Sequence, residues 1–205
     1  MTPQKRLFDI ALALLLCVPL LPVMALIAAL VALKDGRPVL YVSERMRSQG
    51  EGFRLVKFRT MKVVAADAGV SGSDKADRIT RTGRFLRRTR LDELPQLWNV
   101  LAGDISFVGP RPPLRQYVER FPQVYRQVLA SRPGITGLAS LHLHDYEERV
   151  LSRARTAEET DALYCRLCIP RKARIDMIYQ RHASLCFDLQ ILVQTGLKLF
   201  YRRRP

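Results

Sequence analysis

The longest hydrophobic segment of the chain lies near its N-terminus and contains no charge. Residues 10–33 read IALALLLCVPLLPVMALIAALVAL, which is 24 residues. At about 1.5 Å of rise per residue, this length could cross a bilayer as one tilted helix, and it is too apolar on all sides for a surface helix. A signal peptide has a shorter apolar region with a cleavage site, and a core helix of this length would be unusual. The pattern therefore favours a membrane helix.

Two prolines, Pro19 and Pro22, lie in the middle of this segment. Each removes a backbone donor and clashes with the preceding turn, so we predict that the helix breaks or kinks there. Basic residues flank both ends, namely Lys5, Arg6, Lys34, Arg37, Arg45 and Arg47. Since a spanning helix usually has one side rich in Lys and Arg, these flanks favour a re-entrant helix that enters and leaves by the cytoplasmic face. A single span is the alternative, because proline also occurs in spanning helices.

Shorter patterns in the rest of the chain predict mixed secondary structure. Residues 39–43 and 53–58 are β-branched and aromatic runs separated by RSQGEG, which predicts a β-hairpin or two short strands. The polar residues 65–77 predict a loop. The final run, FDLQILVQTGLKLFYRRRP, predicts an interfacial helix whose basic end suits anionic headgroups. A core-packing terminal helix with a basic tail is the alternative for this run.

The charge balance adds an anionic partner to this picture. The 205 residues include 34 Lys and Arg against 19 Asp and Glu, a formal net charge of +15, and 48% of them are hydrophobic. The hydrophobic content excludes intrinsic disorder, and the length is typical of one domain with an appendage. Residues 1–33 carry only +1 of this charge, so the remaining chain is strongly basic and suited to a polyanion or an anionic lipid surface.

An arginine-rich segment occupies residues 78–90. Its arginines stand at positions 78, 81, 84, 87, 88 and 90. If the segment is helical, this spacing places Arg78, Arg81, Arg84 and Arg88 on one side. Such a stripe can bind DNA phosphates, lipid headgroups or a nucleotide diphosphate. A merely solvated helix face fits the spacing equally well.

Two adjacent carboxylates, Asp92 and Glu93, follow the arginine-rich segment directly. Thr89 and Asp92 have the spacing of a capping box, which predicts a helix start. The neighbouring arginines should keep both acids ionised. An ionised Asp beside cations can act as a nucleophile towards phosphorus, and a second carboxylate can hold Mg²⁺ against diphosphate oxygens. Most Asp-Glu pairs are helix-start acids without chemistry, so the pair alone decides nothing.

Residues 109–113, Gly-Pro-Arg-Pro-Pro, place one arginine between residues of restricted backbone freedom. Because prolines fix φ, Arg111 is held in a stiff frame suited to a bidentate grip on phosphate. Taken alone, the segment fits a proline-rich turn with an exposed arginine somewhat better. Its place after the carboxylate pair favours the phosphate-binding interpretation.

Four motifs follow one another along the chain. They are KRLFDIALALLL with the later Pro22, VKFRTM at 56–61, LRRTRLDELPQLWNVLAGDISFVGPRP at 86–112 and RPGITGLA at 132–139. In this order they resemble the bacterial sugar transferase family, specifically its small monotopic polyprenyl-phosphate phosphoglycosyl transferases, and the long central block is highly specific. The resemblance implies a mainly helical α+β fold. Residues 1–36 would be a proline-broken re-entrant anchor, and residues 37–205 a cytoplasmic-face catalytic domain with interfacial amphipathic helices.

The resemblance also implies a reaction. Members of this family transfer a sugar 1-phosphate from a UDP-sugar to undecaprenyl phosphate and release UMP, which initiates a bacterial surface glycan at the cytoplasmic face of the inner membrane. By analogy, Asp92 is the nucleophile that forms a covalent phosphosugar intermediate, and Glu93 coordinates Mg²⁺. The matching substrate- and phosphate-binding positions are Arg111 with Pro110 and Pro112, Arg87, Arg59 and Lys57.

The basic charge agrees with this implied reaction. Two anionic substrates must approach a carboxylate nucleophile, so cations and a divalent metal have to offset the repulsion. The implied partners are the UDP-sugar, undecaprenyl phosphate and membrane lipids, with no nucleic acid, and a homo-oligomer is left open. The alternative function is a membrane-anchored basic binding or scaffold protein without catalysis.

Two positions depart from the family pattern. Leu21 replaces the usual Ser before Pro22, which removes a hydroxyl that could satisfy a freed backbone group. After RPGITGLA the chain reads SLHLHDYEER, which lacks the family's usual guide to the donor sugar. His142 and His144 in this run could touch the sugar or nucleotide, but alternate faces of a strand are the favoured interpretation.

Overall fold

The computed structural model describes residues 1–64, 70 and 72–201, and its fold is mainly helical. The helices are α1 (Pro3–Lys34), α2 (Arg81–Thr89), α3 (Gln96–Ala102), α4 (Arg115–Arg120), α5 (Pro122–Val128), α6 (Leu138–Leu151), α7 (Ala157–Leu163), α8 (Ile169–His182) and α9 (Leu185–Tyr201). The strands are β1 (Leu40–Met46), β2 (Gly52–Phe58), β3 (Ser106–Val108) and β4 (Gly134–Thr136). Shorter helical turns are Ser73–Arg78, Leu91–Glu93 and Tyr164–Cys168. The predicted α+β class is confirmed.

The N-terminal apolar segment forms the single helix α1, which is 32 residues long. The predicted break is absent, and the helix continues through both Pro19 and Pro22. The fixed φ of proline is compatible with a helix, so each proline weakens one turn here without ending the helix. The helix is long and apolar enough to span a membrane, and only 11% of its most apolar 18-residue window is buried. This exposure is the opposite of what a core helix would show.

Both halves of α1 pack against the same globular part of the chain. In the first half, Ala13 is fully buried in a cluster that includes Phe107. In the second half, Val31 is fully buried in a separate cluster that includes Phe58. The helix therefore lies along the domain instead of projecting away from it.

Polar contacts fasten α1 near each of its ends. The Arg6 guanidinium donates to the carbonyls of Val100 and Leu101 at 2.6 and 2.8 Å. At the other end, the buried guanidinium of Arg59 donates to three carbonyls of the loop at residues 35–37. Charge-assisted hydrogen bonds of this kind are stronger than neutral ones, so they fix the helix relative to the domain.

The predicted hairpin is confirmed by β1 and β2, which form an antiparallel pair. Asn99 of α3 fastens it, because its Nδ2 donates to the Arg54 carbonyl at 2.7 Å and its Oδ1 accepts from the Val56 amide at 3.1 Å. Asn99 is almost completely buried, so water does not compete for these bonds. The hairpin thereby carries Lys57 to the segment between α2 and α3.

The predicted loop at 65–77 lies partly outside the described residues. In its described part, Ser73–Arg78 form a 3-10 helix, so the loop prediction is wrong for residues 73–77. Polar composition and glycines favour a loop, but they do not exclude a short helical turn that packs against α7.

The C-terminal helix α9 has both buried and exposed apolar side chains. Ile191 is buried in the core, whereas Leu189, Val193 and Leu197 repeat every four residues and are about half exposed or more. One apolar face of α9 therefore packs on the domain and another remains outside it. The basic end predicted for this helix, at residues 202–204, lies outside the described residues.

A close backbone contact joins β3 and β4, which form a parallel pair. A Cβ atom on Gly134 would come within 2.2 Å of the Gly109 nitrogen and 2.6 Å of the Val108 carbonyl carbon. Backbone atoms cannot move aside as the end of a flexible side chain can. The pairing of these strands therefore requires glycine at position 134.

We expect Gly134→Ala to lower the free energy of unfolding by about 2–3 kcal/mol, because the added methyl group overpacks the strand contact. Urea unfolding in a mild detergent measures this change. Gly50→Ala is the matched control, since a Cβ at Gly50 has nothing within 4 Å. Equal stability of the two variants would show that the strands can separate without cost.

Candidate active site

The carboxylate pair lies in a tight turn between α2 and α3. α2 ends at Arg90, whose φ of 59° is in the left-handed region. The 3-10 turn Leu91–Glu93 follows, and α3 begins after Pro95. Non-glycine residues rarely adopt this φ, and such backbone strain is concentrated at functional sites. The turn directs both acids inward, leaving Asp92 6% and Glu93 9% exposed.

The predicted capping box is wrong. Thr89 lies in the last turn of α2, where its hydroxyl donates to the carbonyls of Phe85 and Leu86 at 2.9 and 3.1 Å. The left-handed Arg90 separates Thr89 from the next turn, and within residues 1–64, 70 and 72–201 no side chain caps the turn that holds Asp92. The spacing fitted a helix start, but a helix end lies there instead.

The predicted arginine stripe is confirmed only in part. Arg78 ends the preceding 3-10 helix, and α2 contains the other three positions, Arg81, Arg84 and Arg88. Thr80 separates the two elements by capping α2, where its hydroxyl accepts from the Gly83 amide at 2.8 Å. A capping Thr inside a run of arginines was the signal that the run is not one helix.

Glu93 is bound by two arginines. Its Oε1 accepts hydrogen bonds from Arg111 Nη2 at 3.1 Å and from Arg90 Nη1 at 3.3 Å. Burial by itself raises the pKa of Glu93, but Arg111 and Arg90 outweigh it, and the pKa falls below its ordinary value. Glu93 is therefore an ionised carboxylate, as the sequence predicted.

Asp92 has a different environment from its neighbour. Its Oδ1 is buried and accepts no hydrogen bond from the described residues. Burial and the adjacent Glu93 charge raise the pKa of Asp92, although Lys57 and Arg87 act in the opposite direction. The sequence predicted that the arginines would hold the pKa low, but it could not show how deeply this carboxyl is buried. A carboxylate with a raised pKa and an unpaired oxygen is a better nucleophile than one held by hydrogen bonds.

Lys57 and Arg87 bring positive charge to Asp92 from β2 and α2. Lys57 Nζ lies 5.2 Å from the ring centroid of Tyr41. Burial and the neighbouring Arg87 lower the pKa of Lys57 to about 8. Arg87 itself is oriented by Thr60, whose Oγ1 accepts from its Nε at 2.9 Å. Two positions predicted from separate motifs thus act on the same carboxyl group.

Arg111 is held by a frame of backbone hydrogen bonds. The Pro110 carbonyl accepts from the Gly134 amide at 2.9 Å, and the Pro113 carbonyl accepts from the Met46 amide at 3.0 Å. These bonds fasten the proline-rich loop to β4 on one side and to β1 on the other. The loop can therefore present the Arg111 side chain to Glu93 with little backbone freedom.

Arg45 of β1 is a site residue that no sequence motif indicates. Its Nη1 donates to the Pro112 carbonyl at 3.3 Å, which adds a side-chain contact to the frame of Arg111. Burial and the proximity of Arg111 lower the pKa of Arg45 to about 10. A single arginine within a strand has no motif, so only the pairing of β1 with the proline-rich loop reveals it.

Arg59 was predicted to bind phosphate, and the structure places its guanidinium against the loop at residues 35–37. Three backbone carbonyls accept its hydrogen bonds there, and the residue is 6% exposed. These contacts link the segment after β2 to the loop that follows α1, so Arg59 stabilises the packing of these two elements. Lys57, two residues earlier, is the residue of this motif that acts on Asp92.

His142 and His144 lie in α6, so the interpretation as alternate faces of a strand is wrong. Residues two apart point in nearly opposite directions on a helix. His142 is exposed, whereas His144 is half-buried and borders a cavity beside Glu93. The predicted strand failed because a short alternating run does not distinguish a strand from a helix with polar faces.

Helix α6 also carries three side chains that could together bind a metal ion. Ligand atoms of His144, Asp145 and Glu148 are within 4.8 Å of one another. Lys198 Nζ, however, already pairs with the Asp145 carboxylate at 2.8 Å. A cation in that position competes with a metal, so this group is a poor candidate for a metal site.

Comparison with known proteins assigns a class to this fold and site. Residues 1–202 match the family model described as bacterial sugar transferase, and the chain therefore belongs to that family. It is 36% identical over 203 residues to the UDP-glucose:undecaprenyl-phosphate glucose-1-phosphate transferase of Escherichia coli, which covers 97% of this chain and 40% of that protein.

Two further relatives support the assignment. The chain is 35% identical over 198 residues to the UDP-N-acetylgalactosamine-undecaprenyl-phosphate N-acetylgalactosaminephosphotransferase of Aeromonas hydrophila, covering 93% of this chain and 42% of that protein. It is 41% identical over 195 residues to the uncharacterized sugar transferase EpsL of Bacillus subtilis, covering 95% and 86%. The chain thus spans about two fifths of the Escherichia coli and Aeromonas proteins and most of EpsL.

Proposed function

We propose that this protein transfers a sugar 1-phosphate from a UDP-sugar to undecaprenyl phosphate and releases UMP. The observation that supports it most directly is the buried Oδ1 of Asp92, which accepts no hydrogen bond from the described part of the chain and lies near the cations Lys57 and Arg87. The names of the Escherichia coli and Aeromonas relatives supply the substrate class. The reaction would initiate a surface glycan at the cytoplasmic face of the bacterial inner membrane.

Asp92 carries the chemistry in two steps. Its carboxylate oxygen attacks the sugar-bearing phosphorus of the donor, forming an O–P bond as the bond between that phosphorus and the UMP oxygen breaks. A phosphate oxygen of the acceptor lipid then attacks the same phosphorus and displaces the carboxylate. The free Asp92 carboxylate is regenerated, and no redox partner is needed.

Cations around Asp92 make the approach of two anionic substrates feasible. Arg111 lies on the Glu93 side of the pair, and Lys57 and Arg87 lie on the Asp92 side. Positive groups that are already oriented stabilise charge on a transferring phosphoryl group without reorganising during the reaction. Pro110 and Pro112 contribute indirectly, because they restrict the loop that presents Arg111.

Glu93 is the residue that would hold Mg²⁺. Its Oε1 is occupied by Arg111 and Arg90, which leaves Oε2 as the oxygen available to a metal. A bound Mg²⁺ would neutralise charge on the donor diphosphate. Oxygen ligands from a carboxylate together with substrate phosphates are the usual environment of this ion.

The test of the proposed function measures UMP. Membranes or detergent-purified protein are incubated with Mg²⁺, undecaprenyl phosphate and a panel of UDP-sugars. We expect UMP from at least one donor, dependence on the acceptor for repeated turnover, and loss of activity with a chelator. Release of UDP would indicate an ordinary glycosyltransferase. No nucleotide release from any donor would favour the alternative of a membrane-anchored binding or scaffold protein.

We also propose that α1 is re-entrant, although it is one continuous helix. Its two halves pack on the same domain, and Arg6 and the loop at residues 35–37 are both fastened to that domain. A helix that crossed the bilayer would have to place one of these ends on the opposite side. Kinking at Pro19 and Pro22 inside the leaflet would allow both ends to remain at the cytoplasmic face.

We expect reporters attached before residue 1 and after residue 36 to be cytoplasmic. The reason is that both ends of α1 contact the same domain. Labelling of single introduced cysteines with a membrane-impermeant reagent, on intact cells and on inverted vesicles, measures this. A periplasmic N-terminus would refute the re-entrant topology and leave the chemistry of Asp92 unaffected.

Lys57→Met should move the acid limb of the pH profile of kcat/KM to higher pH. Asp92 must be deprotonated to attack, and Lys57 lowers its pKa, so removal of the lysine raises that pKa and the activity is lost at a higher pH than in the wild type. Lys62→Met is the control, because Lys62 is an exposed lysine a few residues after β2, and this change should leave the acid limb of the pH profile unchanged. A shift of the Lys57 variant towards lower pH would exclude Asp92 as the titrating group.

A further inference from the structure

A cavity of about 330 Å³ opens beside the carboxylate pair. α1, α3, the β3–β4 pair, α6 and α9 contribute to its wall. Most of this wall is apolar, and four helices contribute leucines to it, namely Leu16, Leu20, Leu97, Leu141 and Leu192. The wall also includes the charged side chains of Arg90, Glu93, Arg111 and Lys198. An apolar body with a charged end suits an amphiphile with an anionic head.

The charged end of the cavity favours an anion. Arg90, Arg111 and Lys198 line it together with the Glu93 carboxylate, which accepts hydrogen bonds from both arginines. Lys198 also pairs with the Asp145 carboxylate at 2.8 Å, so three positive groups face two negative ones and the charge at this end remains positive. A phosphate at this end would lie next to the residues that surround the transferring phosphorus. The apolar part would then receive whatever chain is attached to that phosphate.

The cavity also borders the two helices that expose apolar faces. Next to Leu16 and Leu20 on α1, Leu15 is 70% and Val18 is 75% exposed. α9 contributes Leu192 to the wall and exposes Val193 on its outer side. A lipid chain that leaves the cavity along these helices would therefore meet exposed apolar side chains of α1 and α9.

Gly196 is a residue of the cavity wall that has no side chain. It lies inside α9, where glycine costs about 1 kcal/mol of helix stability relative to alanine. Its φ is not in the left-handed region, and a Cβ atom built there would meet nothing within 4 Å. The backbone therefore does not require glycine at this position, and the space next to it is free of protein atoms.

We propose that this cavity binds the first isoprene units of the acceptor lipid, with the phosphate at the arginine end and the chain leaving along α1 and α9. Gly196 is then a specificity-determining position, because a larger side chain would occupy the space of the isoprene units. This assignment of the acceptor site rests on the proposed function. The donor does not need the apolar space, so its use should be independent of residue 196.

Kinetics with Gly196→Leu test the assignment. We expect the KM for undecaprenyl phosphate to rise by at least about tenfold, because several buried carbon atoms of the lipid lose their contacts. The KM for the UDP-sugar and single-turnover UMP release without acceptor should remain within about twofold of the wild type. Gly196→Ala should show a much smaller change. Gly50→Leu is the control for the same substitution at another glycine with free space.

Thermal unfolding of the same variants separates blocking from misfolding. Leucine and alanine have higher helix propensity than glycine, so neither Gly196 variant should unfold at a lower temperature than the wild type. An unchanged acceptor KM in a folded Gly196→Leu variant would overturn the proposal. An equal rise in the KM of donor and acceptor would also overturn it, since that result would place the residue in a shared part of the site.

A binding experiment decides the question without turnover. Farnesyl phosphate carrying a diazirine on its chain is photo-crosslinked to the full chain in nanodiscs, and the adduct is mapped by mass spectrometry. We expect the label on peptides that include residues 16–20 or 192–196, weaker labelling in Gly196→Leu, and competition by undecaprenyl phosphate. Equal competition by phosphatidylglycerol would identify a general lipid site and overturn the proposal. If the wild type releases no UMP, the proposed reaction fails, and this experiment still reports whether the cavity binds an isoprenoid phosphate.

Discussion

Replacing Asp92 with Asn should reduce UMP release by at least about 10³-fold, which is the effect typical of losing a covalent nucleophile. The amide has nearly the shape of the carboxylate, but it cannot attack phosphorus. Glu93 cannot substitute for it, because Arg111 and Arg90 bind its Oε1 and lower its pKa. A carboxylate of low pKa in two hydrogen bonds is the weaker nucleophile.

The fold should tolerate this change. Burial raises the pKa of Asp92, which means that the folded state penalises its charged form, and an uncharged amide avoids that penalty. Thermal unfolding of Asp92→Asn should therefore occur at or above the wild-type temperature. Asp77→Asn, at an exposed carboxylate of the preceding 3-10 helix, is the matched control and should retain full activity.

The proposed covalent intermediate should be detectable directly on Asp92. Donor alone, without acceptor, should leave a phosphosugar mass on the peptide that contains this residue, and the Asn variant should show none. Undiminished turnover after the substitution would remove Asp92 from the mechanism. Repeated trapping without an adduct, in a preparation shown to be active, would leave a direct transfer between donor and acceptor as the remaining route.

Some parts of this protein were predicted correctly because a few neighbouring residues determine their local structure. The hairpin of β1 and β2 was predicted from two β-branched runs around a glycine-containing turn, and the structure confirms it. The predicted stiff frame of Arg111 agrees with the backbone bonds of Pro110 and Pro113. In both cases the preference of a few neighbouring residues agrees with the fold.

Other predictions failed where distant contacts decide the outcome. α1 does not break at Pro19 or Pro22, and both of its halves pack against residues far along the chain. The predicted alternative of a kink at these prolines stays a prediction. His142 and His144 lie in a helix, because α6 packs against α8 and α9, and this packing is invisible in an alternating run. The depth at which Asp92 is buried likewise depends on elements that its neighbours in sequence do not reveal.

Asp176 is a buried carboxyl group that the proposed mechanism does not use. It lies in α8, is 6% exposed, and its Oδ1 accepts no hydrogen bond from the described residues. The positive charge of Lys172 lowers its pKa, but Lys172 already pairs with Glu147 at 2.9 Å. Burial therefore dominates and raises the pKa of Asp176 to about 7.

This raised pKa makes the stability of the protein dependent on pH. In the unfolded chain the Asp176 carboxyl loses its proton near pH 4, whereas in the folded protein it retains the proton until about pH 7. The protonated form is favoured by folding, so its contribution to stability is fully present below about pH 4 and is lost as pH rises to about 7. The difference between the two pKa values corresponds to about 4 kcal/mol.

Asp176→Asn should remove this dependence. The neutral amide does not ionise, so the free energy of unfolding of the variant should increase relative to the wild type by about 4 kcal/mol between pH 4 and pH 8. At pH 4 the variant should be equal to the wild type or less stable, because the buried amide introduces donors that need partners. Urea titrations in a mild detergent at pH 4, 5, 6, 7 and 8 measure the difference, with Asp77→Asn as the exposed control. A constant difference across this range would mean that Asp176 ionises at the same pH in the folded and unfolded chains, and that Lys172 compensates its burial after all.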